Sequence, residues 1–264
     1  MNRMTTKKRL WQQLMDMGIA REDTVAIHTS LRAVGPVEGR GEGFLDALRE
    51  YLEEGLLVIP THTWASVNRD HPVFDVRHSV PCIGTLPCIA AFHPDGVRSL
   101  HATHSVTVFG KRAAEYAAYD EEVCTPTPAH GCFGRLYEEK AKILLVGVGQ
   151  ERDTFLHVSE EILEVPDRLT PESFPVRIID AAGREHIREI YKHYNPICPH
   201  ISENFVKFDA PLAKCGAVRE GQLGEAHVKV CDAVAMQDEV LRLWRLSDRD
   251  LTVDDVPLPV SWYA

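Results

Sequence analysis

The chain lacks most of the features that would settle its class at once. No apolar run approaches the roughly 18 residues a membrane-spanning helix needs. The opening MNRMTTKKRLWQQLMDMG is charged and amphipathic and has no apolar core of a signal peptide, so it reads as a first helix. Basic side chains are in deficit, with 29 Lys and Arg against 39 Asp and Glu and a net charge of −10. That argues against nucleic acid or an anionic membrane as partner and suits a cationic small molecule. None of the seven cysteines (Cys82, Cys88, Cys124, Cys132, Cys198, Cys215, Cys231) forms a CxxC pair, and their number is odd. A reduced, cytoplasmic protein is the expectation. There is no GxGxxG turn, no P-loop, no repeat, no low-complexity tract and no long linker. The 264 residues are read as one domain, residues 1–264.

What the chain does have is alternation. TVAIH (24–28), GLLVIP (55–60), SVTVFG (105–110) and KILLVGVG (142–149) are short β-branched runs, read as buried strands. Helical spacing follows or separates them in GEGFLDALREYLEE (41–54), GTLPCIAAFH (84–93), KRAAEYAAY (111–119) and RLYEEKA (135–141). DTFLHVSEEIL (153–163) is read as the helix after the fourth strand, and DAVAMQDEVLRLWRL (232–246) as a C-terminal one. PVRIIDAAGREHIREIYKHY reads as a hairpin turning at 181–183. ISENFVKFDAPLAKCGAV reads as a helix broken at Pro211 and then a strand. Strands feeding helices imply an α/β fold, a three-layer α/β/α sandwich, and the hairpin suggests a mixed central sheet. Segments 61–81 and 120–133 are long for structural loops, which favours a functional role.

Five stretches could carry chemistry. In open α/β sheets ligands bind beyond the carboxyl ends of strands, and LLVGVGQERDTFLHVSE puts a glycine-rich turn there. Asp153 or Thr154 is the candidate N-cap, and His157 then falls in the first turn with Glu160 at i+3 on the same face. A carboxylate there would fix the imidazole tautomer and raise its basicity. A core histidine bonded to a carbonyl is the competing reading. His28, Thr29 and Ser30 end the first strand, where they could contact a ligand or merely cap it. His101 and His104 form an HxxH before a strand. CTPTPAHGCFGRL holds two cysteines and His130. His193, Cys198 and His200 form the most metal-like cluster, but H-x4-C-x-H matches no standard zinc spacing.

Four pieces in order, IHTSLRAVGPVEG (27–39), VIPTHTW (58–64), RSLHATHSVTVFG (98–110) and ILLVGVGQERDTFLHVSE (143–160), together resemble the aminoglycoside 3-N-acetyltransferase family. This is the antibiotic N-acetyltransferase fold, unrelated to the GNAT enzymes. The resemblance implies acetyl-CoA as donor, no metal, and a small cationic amine as acceptor for a monomer or homodimer. It makes His157 the expected general base and Glu160 its possible orienter. It sets His28, Thr29, Ser30 and Leu31 near the CoA, and His101 and Ser105, which match a further family stretch, are with Thr125 the other expected cofactor contacts. Thr125 or Ser30 is a candidate donor to the thioester oxygen. Asp70, Asp75 and Trp64 are the candidate acceptor contacts. The chain departs from the family at Ala102, where proline is usual, and at PAHGCFG, where a Ser-Pro is usual. It also departs at 191–204, where YKHYNPICPHISEN replaces most of the carboxylates of members active on aminoglycosides. A different amine, a CoA-binding homologue without that activity, and a zinc-dependent hydrolase or metal-binding protein are the alternatives.

Overall fold

The computed structural model describes residues 4–264. Helix α1 (Lys7–Asp16) is capped by Thr6, whose side chain accepts from Arg9 N, and it buries Leu10 and Leu14. Strand β1 (Thr24–Thr29) leads through Ser30 into the single turn α2 (Leu31–Val34), and α3 (Arg40–Tyr51) precedes β2 (Leu56–Pro60). Strand β3 (Val73–Asp75) lies inside the segment that the sequence reads as a loop. Then come α4 (Thr85–Ala91), the short β4 (Val97–Arg98), β5 (Val106–Gly110) and α5 (Ala113–Ala117). Helix α6 (Cys132–Glu138) is followed by β6 (Lys142–Val146) and α7 (Leu156–Ile162). A hairpin, β7 (Phe174–Ile179) and β8 (Glu185–Ile190), follows, then α8 (Asp209–Lys214). A second hairpin, β9 (Val218–Leu223) and β10 (Ala226–Asp232), leads into α9 (Ala233–Arg245).

Seven strands form the central sheet in the order β4-β5-β2-β1-β6-β10-β9. Strands β2, β1 and β6 run parallel, and the strands outside them pair antiparallel, so the sheet is mixed. The inner strands are apolar on both faces because both are covered. On one face Ala26, Val58, Ile143 and Leu145 pack against α5, α6, α7, α8 and α9. On the other, Val25, Ile27, Leu57, Leu144 and Val146 pack against α1, α3 and α4. The result is the expected three-layer α/β/α sandwich.

Several details differ from the sequence expectation. The hairpin β7–β8 does not join the central sheet. It forms a three-stranded sheet with β3, over its own small core of Val67, Phe74, Val176, Ile178 and Ile190. The central sheet is mixed instead through β5 and the hairpin β9–β10, which turns at Gly224 with φ +62. Helix α6 starts three residues early because the Asp120 carboxylate accepts from Cys132 N at 2.9 Å, a cap twelve residues away. Pro211 breaks nothing: it sits in the first turn of α8, after a 3-10 stretch at Ile201–Phe208. No helix among the described residues is long and apolar enough to cross a membrane.

Candidate active site

A cavity of about 720 Å³ opens at the carboxyl ends of the three parallel strands. His28, Thr29 and Ser30 enter it from β1, and Pro60, His62 and Trp64 from β2. Val148, Glu151, Arg152, Asp153, Thr154 and His157 enter from the turn and helix after β6. This is where a parallel sheet leaves backbone groups and helix starts free for a ligand. The turn needs Gly147 at φ +65, since a Cβ there would lie 2.3 Å from that of Ala33. The remaining wall comes from Cys82 and the start of α4, His104, Lys192, His193 and the 199–202 stretch.

His157 lies in the first turn of α7, with its Nδ1 2.6 Å from Glu160 Oε2. Glu160 is almost fully buried, and its second oxygen accepts from Arg168 Nε at 2.9 Å and Thr252 Oγ1 at 2.9 Å. Arg168 is bonded in turn to Thr252 and Asp250. Burial alone would raise the Glu160 carboxyl, but His157, Arg168 and Thr252 hold it below the ordinary carboxylate value. An ionised Glu160 can only accept, so His157 donates from Nδ1, and Nε2 is the ring nitrogen that takes up or gives up a proton. Glu160 thus holds the ring in place, at the spacing the helix makes available.

Other imidazoles crowd the same space. The His193 ring lies 4.2 Å from that of His157, His104 lies 4.9 Å from His193, and His62 lies 4.6 Å from His104. Burial holds His62, His104 and His193 well below the usual histidine value, so all are neutral. His28 is pushed down to about 4 by the same cause. Nε2 of His62 and Nε2 of His193 are buried with no protein partner. Asp153, 3.8 Å from His28, is pushed up to about 7 by burial. Its Oδ1 accepts from Phe155 N at 3.0 Å, while its Oδ2 has no partner.

The cavity thus gathers His157, His28, Thr29, Ser30 and Trp64 from the sequence candidates, with Glu160 directly behind His157. It does not gather the other residues expected to touch donor or acceptor. Leu31 faces a separate hollow beside Val34 and Phe44. His101 ties two loops together, accepting from Thr103 N and His104 N on Nδ1 and donating from Nε2 to Thr125 O. Thr125 Oγ1 donates to Glu161 at 2.5 Å. Ser105 is fully buried, donating to Thr61 O and accepting from Arg98 Nε. Asp70 is exposed on a turn, and the Asp75 carboxylate is taken up by Arg77 and His78. Burial would raise the Asp75 carboxyl, but those partners hold it down at about 2. Sequence inspection missed His62 and Lys192 altogether and saw His104 and His193 only as metal candidates. Among the described residues no group of three or more His, Cys, Asp or Glu is arranged to hold a metal.

Several solved structures share this architecture. The aminoglycoside acetyltransferase AAC(3)-IVa, as apoenzyme, superposes with a TM-score of 0.75 at 25% identity, over 91% of this chain and 88% of that one. A histidine-to-alanine mutant of the same enzyme, in complex with a gentamicin, gives 0.76 at 25%, over 93% and 90%. AAC-IIIb, solved as a binary complex with CoASH, gives 0.78 at 21%, over 90% and 96%. In sequence the chain is 26% identical to aminoglycoside N(3)-acetyltransferase VII of Streptomyces paromomycinus, over 86% of this chain and 87% of the relative. It is 27% identical to aminoglycoside N(3)-acetyltransferase IV of a Salmonella species, over 85% and 81%. Residues 26–244 match the family model described as aminoglycoside 3-N-acetyltransferase. The chain belongs to that family.

Proposed function

We propose that the protein is an acetyl-CoA-dependent N-acetyltransferase that passes the acetyl group directly to an amine, with His157 as general base. The observation that carries this is the buried Glu160–His157 pair, which engages Nδ1 and leaves Nε2 without a partner among the described residues, on a ring that lines the cavity beyond the parallel strands. An amine must shed a proton to attack a thioester. His157 Nε2 accepts that proton as the carbon–nitrogen bond forms, and CoA leaves as the carbon–sulfur bond breaks. Glu160 stabilises the imidazolium that results. Negative charge develops on the thioester oxygen, and Ser30 is a donor at hand. Its Oγ accepts from Ala33 N at 3.3 Å, leaving its own O–H free to donate.

The apolar part of the lining, with Ile27, Pro60, Ile83, Leu86 and Val148, suits the pantetheine arm of the donor. The exposed Arg152 at the same cavity suits its phosphates. The name shared by the relatives, aminoglycoside N(3)-acetyltransferase, makes a ring amine of an amino sugar the first acceptor class to try. The zinc alternative has no supporting geometry among the described residues. The test is thiol release from acetyl-CoA by purified protein across a panel of amino sugars, aminoglycosides included, with calorimetric CoA binding alongside. Amine-dependent release is expected. A folded protein that neither releases thiol with any amine nor binds CoA would overturn the proposal.

A further inference from the structure

The two walls of the cavity differ in charge. The wall after β6 carries Glu151, Arg152 and Asp153. The facing wall, from the 61–81 segment and the chain after β8, lines the cavity with Trp64, Lys192 and His193 and no carboxylate. Lys192 is half-buried, and its ammonium donates to the carbonyls of Trp64 at 2.8 Å and Val67 at 3.4 Å. No carboxylate pairs with it among the described residues. Partial burial lowers its pKa, as expected of a cation without a counter-ion. Beside it the His193 ring is neutral and its Nε2 unpartnered, and His62 Nε2 is in the same condition.

A polycation lying along this wall would meet an ammonium and neutral rings, and the only carboxylates lining the cavity among the described residues, Glu151 and Asp153, stand on the wall after β6. The two acids first expected to hold such a substrate, Asp70 and Asp75, are not on the cavity. An oxyanion would meet the opposite: an uncompensated ammonium and an imidazole able to donate.

We propose that the acceptor carries an acidic group, a phosphate or carboxylate, beside the amine that is acetylated, and that Lys192 with His193 holds it. This rests on the N-acetyltransferase reading above and narrows its acceptor. The same oxyanion chemistry is present in the donor's phosphates, so the experiment must separate the two sources.

Glucosamine, glucosamine 6-phosphate and kanamycin are compared as acceptors by steady-state thiol release, with wild type, Lys192→Met and Lys192→Arg. The expected kcat/KM is at least about tenfold higher for glucosamine 6-phosphate than for glucosamine, with kanamycin lowest. Lys192→Met should erase the preference through the acceptor KM, leaving the acetyl-CoA KM within about twofold, and Lys192→Arg should restore part of it. Equal use of glucosamine and its phosphate, or kanamycin as the best acceptor, overturns the inference. So does a Lys192→Met effect confined to the acetyl-CoA KM, which would give the ammonium to the donor. Failure of glucosamine 6-phosphate with a protein that binds CoA overturns the acceptor class alone. Failure to bind CoA overturns the N-acetyltransferase reading as well. The wild-type acceptor order decides the matter even if Lys192→Met does not fold.

Discussion

The wall built on α7 and the wall facing it treat their polar groups in opposite ways. Behind His157, both Glu160 oxygens are bonded, Thr252 is bonded twice, and Arg168 is shared between two carboxylates. Across the cavity, His62 and His193 each keep a buried nitrogen without a partner, and Lys192 has no counter-ion among the described residues. A network in which both Glu160 oxygens are bonded, though Arg168 Nη1 is left without a partner among the described residues, holds one side chain in one orientation and one tautomer, as a base requires. Unsaturated groups lining a cavity cost stability unless a ligand completes them, as a recognition surface requires.

The largest test of this contrast is Glu160→Ala. It leaves the buried Arg168 short of its partner and the His157 ring unheld. A loss of about 3–5 kcal/mol is expected by chemical denaturation, together with a fall in kcat. Glu160→Gln keeps the shape, so its stability loss should be smaller while kcat still falls. Wild-type stability of Glu160→Ala would mean that the network holds nothing.

Acid should act next, and mainly through the buried histidines. His28, His62, His104 and His193 have folded pKa values lowered by burial, so below about 6.5 the unfolded chain takes up protons that the folded chain refuses. Each then costs about 1.4 kcal/mol per pH unit until its folded value is reached, about 4 for His28. Glu160, lowered in the fold, adds its own loss only below the ordinary carboxylate range. Melting temperature should therefore drop steeply between about pH 6.5 and 5, and less so in His193→Asn. A flat profile over that window would contradict neutral, buried rings.

Asp153 gives the smaller effect, with the opposite sign. Its folded value is about 7 against an ordinary 3.8, so the unfolded chain ionises first and stability is lost as pH rises between them. Asp153→Asn should stabilise, with a gain that grows from about pH 4 to 7 and then levels off, on the order of 1 kcal/mol per unit. A pH-independent effect would place the carboxylate in a wetter site than the geometry indicates.

Much of this was legible in the sequence where contacts are local. The apolar runs of β1, β2 and β6 marked the buried centre, and the i, i+3 spacing put Glu160 under His157. What could not be read depends on distant partners. Strand β3 pairs with β7 about a hundred residues away, and Asp120 caps α6 from outside it. Arg168 and Thr252, which saturate Glu160, lie 8 and 92 residues beyond it. His62, His104 and His193 converge from three separate segments, so no spacing rule could have grouped them. Asp70 and Asp75 looked suitable by composition alone. Asp75 in fact serves the turn that follows β3.

The central claim is that His157 takes the proton from the amine. Its most direct test is amine-dependent thiol release by purified His157→Ala, with CoA binding and a thermal melt confirming an intact fold. A fall in kcat of about 10² to 10⁴-fold with CoA binding retained is the expected result. Turnover close to wild type in a folded, CoA-binding His157→Ala protein would contradict it.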